Sequence, residues 1–166
     1  MSEHELPDLD PDQPLVGVLI GAPTHMQVMQ QAPAILERFG IPHEVEVMSS
    51  HRNPDLVDEY ARTAEERGLL TLICGSSGSA HLAGAVAART SLPVIGVPLS
   101  SSPLHGQDSL LSTVQMPRGV PVATVAIDGV VNAAVLAAQI VAVRILEVRT
   151  LLHEFKDSLD EGLRGS

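Results

Sequence analysis

The chain has 166 residues, of which 45% are hydrophobic, and this suits one globular domain with a sizeable core. A formal net charge of −10 and an aromatic content of 2% exclude nucleic acid and anionic membrane surfaces as expected partners. Cys74 is the only cysteine and Lys156 the only lysine, which excludes an intrachain disulfide, a cysteine-rich metal site and a P-loop.

The first dozen residues are acidic and lack an apolar segment, so no signal peptide is expected. The sequence also contains no run of about 18 apolar residues that would predict a membrane span. A cytoplasmic protein is therefore the expectation.

Apolar strands alternate with helical segments along the chain. In order, the predicted elements are strand Leu15–Ile20, helix His25–Phe39, strand His43–Met48, helix Pro54–Arg67, strand Leu69–Cys74, helix Ser79–Thr90, strand Pro93–Val97, helix Asp108–Gln115, strand Val120–Ile127 and helix Asn132–Leu152. Pro33 predicts a kink or break in the first helix. Continuous apolar strands of this kind predict a doubly wound parallel sheet that helices cover on both faces.

A single catalytic domain is expected over residues 15–152, between a flexible acidic leader at 1–14 and an acidic tail at 153–166. Residues 15–150 hold 11 acidic and 8 basic side chains, a net charge of −3, so the domain itself can accept an anionic ligand. The last predicted helix is more apolar than one sheet face requires. This predicts either packing against other subunits or full burial within the chain.

The Ser49–Pro54 loop, which follows the second strand, carries two hydroxyls, an imidazole and a guanidinium. Active sites of open α/β sheets form at the carboxyl ends of strands. His51 can transfer a proton near neutral pH, and Arg52 can bind a phosphate or carboxylate bidentately. This combination predicts chemistry on a small phosphorylated or carboxylated molecule.

Three further loops follow strands: Gly21–His25, Gly75–His81 and Ser100–Asp108. In Gly75–His81, small residues before a helix would let backbone amides approach an anionic ligand. Each loop alone has an ordinary explanation, such as a tight turn, a helix cap at a histidine, or a salt bridge from Arg52 to a nearby aspartate. The recurrence of polar and ionisable residues after several strands favours a binding site instead.

The Ser49-Ser50-His51-Arg52-Asn53-Pro54 segment resembles the Ser-Ala-His-Arg-x-Pro signature of the N5-carboxyaminoimidazole ribonucleotide mutase family. This family is the catalytic subunit of phosphoribosylaminoimidazole carboxylase. The resemblance covers about residues 15–145 in order. Its other matching stretches are Gly75–Gly84, Pro93–Pro98, Gly106–Leu110, Val114–Thr124 and Asn132–Ala134.

The resemblance implies a three-layer α/β sandwich with a flavodoxin-like sheet and a long C-terminal helix, assembled as a homo-octamer. It implies rearrangement of N5-carboxyaminoimidazole ribonucleotide to 4-carboxy-5-aminoimidazole ribonucleotide through caged CO2, with no metal or organic cofactor. His51 matches the proton carrier, and Ser49 and Arg52 match contacts to the ligand's anions. His81 and its loop match the wall around CO2. The substrate contacts expected are Gly21, Ala22, Thr24, His25, Ser49, Ser50, Arg52, Ser76, Ser77, Gly78, Ser79, His81 and Leu82.

The first loop departs from the family pattern Gly-Ser-x-Ser-Asp, because Ala22 and His25 replace the first serine and the aspartate. Ser76, Ser77 and Ser79 also make the third loop more polar than the pattern. Two other functions therefore stay open. One is a related carboxylase or decarboxylase, which uses dissolved CO2 directly or acts on another heterocyclic mononucleotide. The other is a non-catalytic nucleotide-binding protein, although the retained His-Arg pair argues against it.

Overall fold

The computed structural model describes residues 7–164, with side chains described through residue 159. Residues 1–6 of the predicted leader and 165–166 of the predicted tail lie outside the described residues. In chain order the elements are β1 (Val16–Ile20), a 3₁₀ helix (Pro23–His25), α1 (Met26–Met29), α2 (Gln31–Arg38), β2 (His43–Val47), α3 (Pro54–Thr63), β3 (Thr71–Ser77), α4 (Leu82–Ala87), β4 (Val94–Leu99), α5 (Gln107–Val114), β5 (Ala123–Thr124), α6 (Val130–Val141) and α7 (Leu146–Arg164). Over these residues, no helix is long and apolar enough to cross a membrane.

The strands form one parallel sheet in the order β2-β1-β3-β4-β5. β1 lies between β2 and β3. The chain therefore places β2 on one side of β1 and then β3, β4 and β5 in turn on the other side. This reversal is a topological switch point, where the carboxyl ends of adjacent strands leave a crevice for a ligand. The predicted doubly wound, flavodoxin-like α/β class is confirmed.

Helices cover both faces of the sheet, and β1 shows why the strands are apolar throughout. Val16, Val18 and Ile20 point into one core, which α2, α6 and α7 complete. Leu19 points into the other core, which α3 and α4 complete. All four side chains are fully buried because alternate residues of a strand face opposite sides of the sheet. The result is three layers.

The first predicted helix is divided into α1 and α2 around Gln30. Pro33 lies four residues after Met29, and proline has no N–H with which to bond the carbonyl of that residue. The predicted kink or break therefore takes the form of a break one turn before the proline. The predicted fifth strand is also shorter than expected, since only Ala123 and Thr124 pair with β4.

The prediction of one helix over Asn132–Leu152 is wrong, because α6 ends at Val141 and α7 begins at Leu146. The Arg149 guanidinium closes the end of α6 by donating to the Ala142 carbonyl at 2.8 and 3.1 Å. Carbonyls in the last turn of a helix have no partner within that helix, so this side chain satisfies one of them. α7 continues through Arg164 and includes most of the segment assigned to the acidic tail.

The apolar character of α6 is explained largely within the chain. Its buried residues are Val130, Ala133, Ala134, Val135, Ala137, Ala138 and Val141. The helix packs against α2, β3, β4 and α7. The two most exposed large apolar side chains among the described residues lie beyond its end, where Val143 and Leu146 keep 79% and 64% of their surface accessible.

Candidate active site

The carboxyl ends of β1 to β4 open into a cavity of about 530 Å³ at the switch point. All the loops singled out in the sequence contribute to its lining. The lining residues are Gly21, Ala22, Thr24, His25, Ser49, Ser50, His51, Arg52, Ser76, Ser77, Ser79, His81, Leu82 and Ser101. The structure thus brings together every predicted site residue except Gly78, while the role of each remains a prediction.

The second loop, Ser49–Asn53, is held by hydrogen bonds within itself. The Ser49 backbone N–H donates to the Asn53 side-chain oxygen at 2.6 Å, and the Asn53 N–H donates back to the Ser49 carbonyl at 3.0 Å. The Ser49 hydroxyl oxygen accepts the backbone N–H groups of His51 and Arg52 at 3.4 and 3.3 Å. Because that oxygen acts as an acceptor inside the loop, the Ser49 O–H is left to donate to a ligand.

His51 and His81 line the cavity and contact each other. His51 Nε2 lies 2.8 Å from His81 Nδ1, and the rings meet edge to face with their centroids 4.9 Å apart. A hydrogen bond between two ring nitrogens requires a proton on one of them and a lone pair on the other. Both side chains are exposed, so a ligand that enters the cavity can reach this proton. The helix-cap explanation for His81 fails, since its side chain makes no capping bond to α4.

Arg52 connects the second loop to the first, because its Nη2 donates to the Gly21 carbonyl at 3.0 Å. Within residues 7–159, no carboxylate lies within ion-pair distance of Arg52. Asp58 pairs instead with Arg62 at 3.4 Å and with Arg89 at 2.6 Å. No carboxylate among these residues thus competes with a ligand for the guanidinium, and its remaining N–H groups can bind a phosphate or carboxylate.

A second depression of about 540 Å³ lies between α3 and α4. Its charged residues include Asp58 and Arg89, which neutralise each other. No predicted site residue other than Ser50 reaches it. The cavity at the switch point is therefore the better candidate for chemistry.

His25 is a buried polar residue of the cavity wall, with 8% of its surface accessible. Its Nε2 lies 2.9 Å from the Ser77 hydroxyl oxygen. Its Nδ1 has no hydrogen-bond partner among the described residues. Burial, and then the positive charge of Arg52, lower the pKa of His25, so the imidazole is neutral near pH 7. It makes no side-chain cap, which removes the ordinary explanation for its position.

The third loop differs from expectation in the use of its backbone amides. The N–H groups of Gly78 and Ala80 donate to the hydroxyls of Ser109 and Ser112 on α5 at 2.8 and 3.0 Å. These amides are therefore not available to an anionic ligand, and Gly78 does not line the cavity. Its φ of 64° instead allows the tight turn that follows β3. The loop contributes Ser76, Ser77 and Ser79 to the cavity lining.

Ser101 also lines the cavity, although the sequence singled out its loop and not this residue. The loop is fastened by Asp108, whose carboxylate accepts the Ser102 hydroxyl at 2.6 Å and the Ser109 N–H at 2.9 Å. The first of these bonds is the main reason that the pKa of Asp108 is lowered. The run of three serines after β4 was the signal that could have identified Ser101.

Among the described residues, no group of three or more His, Cys, Asp or Glu side chains is arranged to hold a metal ion. The donors at the cavity are hydroxyls, imidazoles and one guanidinium. These groups can bind anions, hold a carbonyl or carboxylate oxygen, and transfer a proton at one position. The arrangement therefore suits acid–base chemistry on an anionic small molecule.

Comparisons with known proteins identify relatives of this chain. A family model described as AIR carboxylase matches residues 15–162. The N5-carboxyaminoimidazole ribonucleotide mutase of Pyrococcus horikoshii is 50% identical over 144 residues, covering 87% of this chain and 81% of that protein. The phosphoribosylaminoimidazole carboxylase of Schizosaccharomyces pombe is 48% identical over 150 residues, covering 90% of this chain and 27% of that protein.

A solved structure agrees as well. The crystal structure of Treponema denticola PurE matches with a TM-score of 0.83 and 26% identity, over 92% of this chain and 95% of that one. The fold, the order of the motifs and the family model thus identify the same group of proteins, and the resemblance seen in the sequence is confirmed. The chain belongs to the AIR carboxylase family.

Proposed function

We propose that this chain catalyses the rearrangement of N5-carboxyaminoimidazole ribonucleotide to 4-carboxy-5-aminoimidazole ribonucleotide in purine biosynthesis. The observation that carries the proposal is a proton-bearing pair, His51 and His81, in one cavity with the guanidinium of Arg52, which meets no carboxylate within residues 7–159. The name of the Pyrococcus horikoshii relative, at 50% identity, supports this reaction.

The first half of the reaction removes CO2 from the amino nitrogen. The bond between that nitrogen and the carboxylate carbon breaks, and its electron pair stays on nitrogen. His51 donates a proton to this nitrogen, which gives the free aminoimidazole and CO2. An imidazole suits the task because its ordinary pKa lies close to neutral pH.

The second half returns CO2 to carbon. The electron-rich C4 of the imidazole ring attacks CO2, a carbon–carbon bond forms, and the C4 proton passes to the lone pair that His51 now carries. His51 regains the proton that it donated in the first step, so the two steps together consume no other reactant and need no cofactor. Exclusion of water from the cavity keeps CO2 from escaping or hydrating between the two steps.

Anion binding places the substrate for these steps. Arg52 and Ser49 bind its phosphate or carboxylate oxygens through charged and neutral hydrogen bonds. The residues of the third loop (Ser76, Ser77, Ser79, His81 and Leu82) form the wall beside CO2. In this proposal the partners are a ribonucleotide and CO2, and the chain works in the cytoplasm.

The cavity is open in the single chain, and further copies of this chain are proposed to complete it in a homo-octamer. Exposed apolar side chains support association, among them Leu104 before α5, Leu111 on α5, Val143 after α6 and Leu146 at the start of α7. Light scattering of the purified protein is expected to give eight copies. Val143→Asp with Leu146→Asp is expected to shift the mass toward smaller species, and a monomeric wild type would contradict the assembly.

The second candidate function is the carboxylation of aminoimidazole ribonucleotide by dissolved CO2. The name of the Schizosaccharomyces pombe relative favours it, although this chain spans only 27% of that protein. The imidazole His25 in the first loop, where the family pattern has aspartate, is consistent with a changed preference for the ligand.

One assay separates these functions. Purified protein is incubated with N5-carboxyaminoimidazole ribonucleotide, and formation of the 4-carboxy product is followed at low bicarbonate. Rapid conversion is expected. Absence of turnover by folded protein would overturn the mutase proposal, and turnover only with aminoimidazole ribonucleotide and high bicarbonate would establish the second candidate.

A further inference from the structure

The contact between His25 and Ser77 defines the chemical character of one end of the cavity. Both residues depart from the family pattern, and the structure places them 2.9 Å apart, Nε2 to Oγ. Both line the cavity. The residues lie 52 positions apart in sequence, on the loop after β1 and at the end of β3, so this contact joins two separate walls.

The surroundings of His25 select one of the two forms of the neutral imidazole. If Nδ1 carried the proton, a buried N–H would have no acceptor, because Nδ1 has no partner among the described residues. If Nε2 carries the proton, Nδ1 is left with an unused lone pair. Buried N–H groups without acceptors are rarer than buried acceptors with spare lone pairs, so the Nε2–H form is favoured.

This form sets the direction of the hydrogen bond. Nε2–H donates and the Ser77 oxygen accepts, so the Ser77 O–H has to point elsewhere. Within the described residues, Ser77 makes no other side-chain hydrogen bond. Its hydroxyl proton is therefore free to point into the cavity. A protonated His25 would add a second buried N–H, and the lowered pKa of this residue opposes that.

We propose that His25 is a positioning residue that makes Ser77 a hydrogen-bond donor to the ligand, so that this end of the cavity selects an acceptor oxygen. The acceptor is a carboxylate or phosphate oxygen, or a hydroxyl that accepts. An aspartate at the same place would do the reverse, since a carboxylate only accepts. The identity of the ligand rests on the proposed function. The preference of this end of the cavity for a hydrogen-bond acceptor does not.

A cycle of binding measurements tests the coupling. The probe is 4-carboxy-5-aminoimidazole ribonucleotide, and its Kd is measured by calorimetry. Ser77→Ala is expected to weaken binding about three- to tenfold, the range for a neutral hydrogen bond. His25→Phe is expected to weaken binding by a similar factor. The variant that carries both substitutions is expected to bind no more weakly than the weaker of the two single variants. His25→Gln retains an N–H near the position of Nε2 and is expected to restore most of the affinity.

Ser76→Ala is the matched control, because Ser76 lines the same cavity and has no hydrogen bond to His25. Its effect on Kd is expected to add to that of His25→Phe, as for independent sites. Additive effects of His25→Phe and Ser77→Ala, or equal losses in His25→Phe and His25→Gln, would overturn the inference.

A second measurement does not depend on ligand binding. The ¹⁵N shifts of the His25 ring in ligand-free wild type, assigned by comparison with His25→Gln, report which nitrogen carries the proton. The Nε2–H form is expected, and the Nδ1–H form would overturn the inference. Failure of the ribonucleotide to bind or react would instead count against the proposed function, so the two failures can be distinguished.

Discussion

The first and second loops line the same cavity but are held in different ways. Ser49 and Asn53 bond each other through backbone and side chain, so the second loop carries its own supports. The first loop depends on other segments: the Gly21 N–H donates to the Gly75 carbonyl at 2.8 Å, and the Gly21 carbonyl accepts Arg52. His25 reaches Ser77 in the same manner.

This difference separates two kinds of function. A loop that is held by its own bonds fixes the backbone of His51 independently of the first loop, which suits a group that has to donate and recover the same proton. The polar groups of the first loop are hydrogen-bonded to other loops. A substitution in any of these loops therefore changes the surroundings of the ligand. We therefore expect substitution of His51 in the second loop to alter rate, and substitutions in the first loop or of the anion-binding Arg52 to alter binding.

The largest effect is expected from His51→Asn. Loss of the proton carrier removes general acid–base catalysis, which contributes roughly a hundred- to ten-thousandfold, so kcat should fall by that order. Product binding should change little, and calorimetry together with steady-state kinetics measures both. His153→Asn, at an exposed position on α7, is the control and should leave kcat unchanged. If His51→Asn keeps most of its turnover, another group carries the proton.

Arg52→Ala is expected to act on binding more than on rate. Removal of a charged hydrogen-bond donor costs about 1.5–3 kcal/mol, or roughly ten- to a hundredfold in Kd for the product. The remaining affinity should depend less on salt than that of the wild type, because a charge has been lost. Arg62→Ala, on the exposed side of α3, is the matched control. An unchanged Kd would remove Arg52 from the anion site.

Asn53→Ala tests whether the second loop supports itself. The Ser49 N–H loses its acceptor, and an unpaired backbone donor costs about 1–3 kcal/mol of stability. A loss of about 1.4 kcal/mol in the placement of His51 would lower kcat/KM about tenfold. Kinetics and chemical denaturation measure the two effects, with Asn132→Ala at an exposed site of α6 as the control. Unchanged kinetics would mean that the loop is held by contacts other than its own.

The second loop and the sheet could be predicted from sequence because their information is local. The strand in front of Ser49, the proline that opens α3 and the order of chemical groups all lie within a few residues of one another. Parallel strands that are buried on both faces follow from their apolar runs, as β1 illustrates. The approach of His51 to the cavity needed only the rule that strand ends converge.

The parts that could not be predicted depend on particular side-chain contacts that the local pattern does not show. The break between α6 and α7 occurs in a helical, apolar sequence, and the Arg149 bond to Ala142 is one contact that no local pattern indicates. The third loop was expected to offer amides, but two serines of α5, more than 30 residues away, already occupy those of Gly78 and Ala80. The contact of His25 with Ser77 has the same origin.

The smallest effect is a dependence of stability on pH that is traced to His25. Burial and Arg52 lower its pKa in the folded chain below the ordinary value of 6.5. Below pH 6.5 the unfolded chain therefore binds this proton before the folded chain does, and folding loses free energy as the pH falls. The loss from one group cannot exceed about 1.4 kcal/mol per pH unit, and it is absent above the ordinary pKa.

The comparison of wild type with His25→Gln isolates this contribution, because the other histidines are common to both proteins. Free energies of unfolding are measured in denaturant at pH 7.5 and 5.5, at one protein concentration because association of subunits also shifts apparent stability. The free energy of unfolding is expected to fall more for the wild type than for His25→Gln between pH 7.5 and pH 5.5. Equal losses would mean that His25 is not desolvated, and the neutral imidazole needed to orient Ser77 would then lose its physical basis. The same pair of proteins thus tests whether the first loop takes its properties from the segments that it contacts.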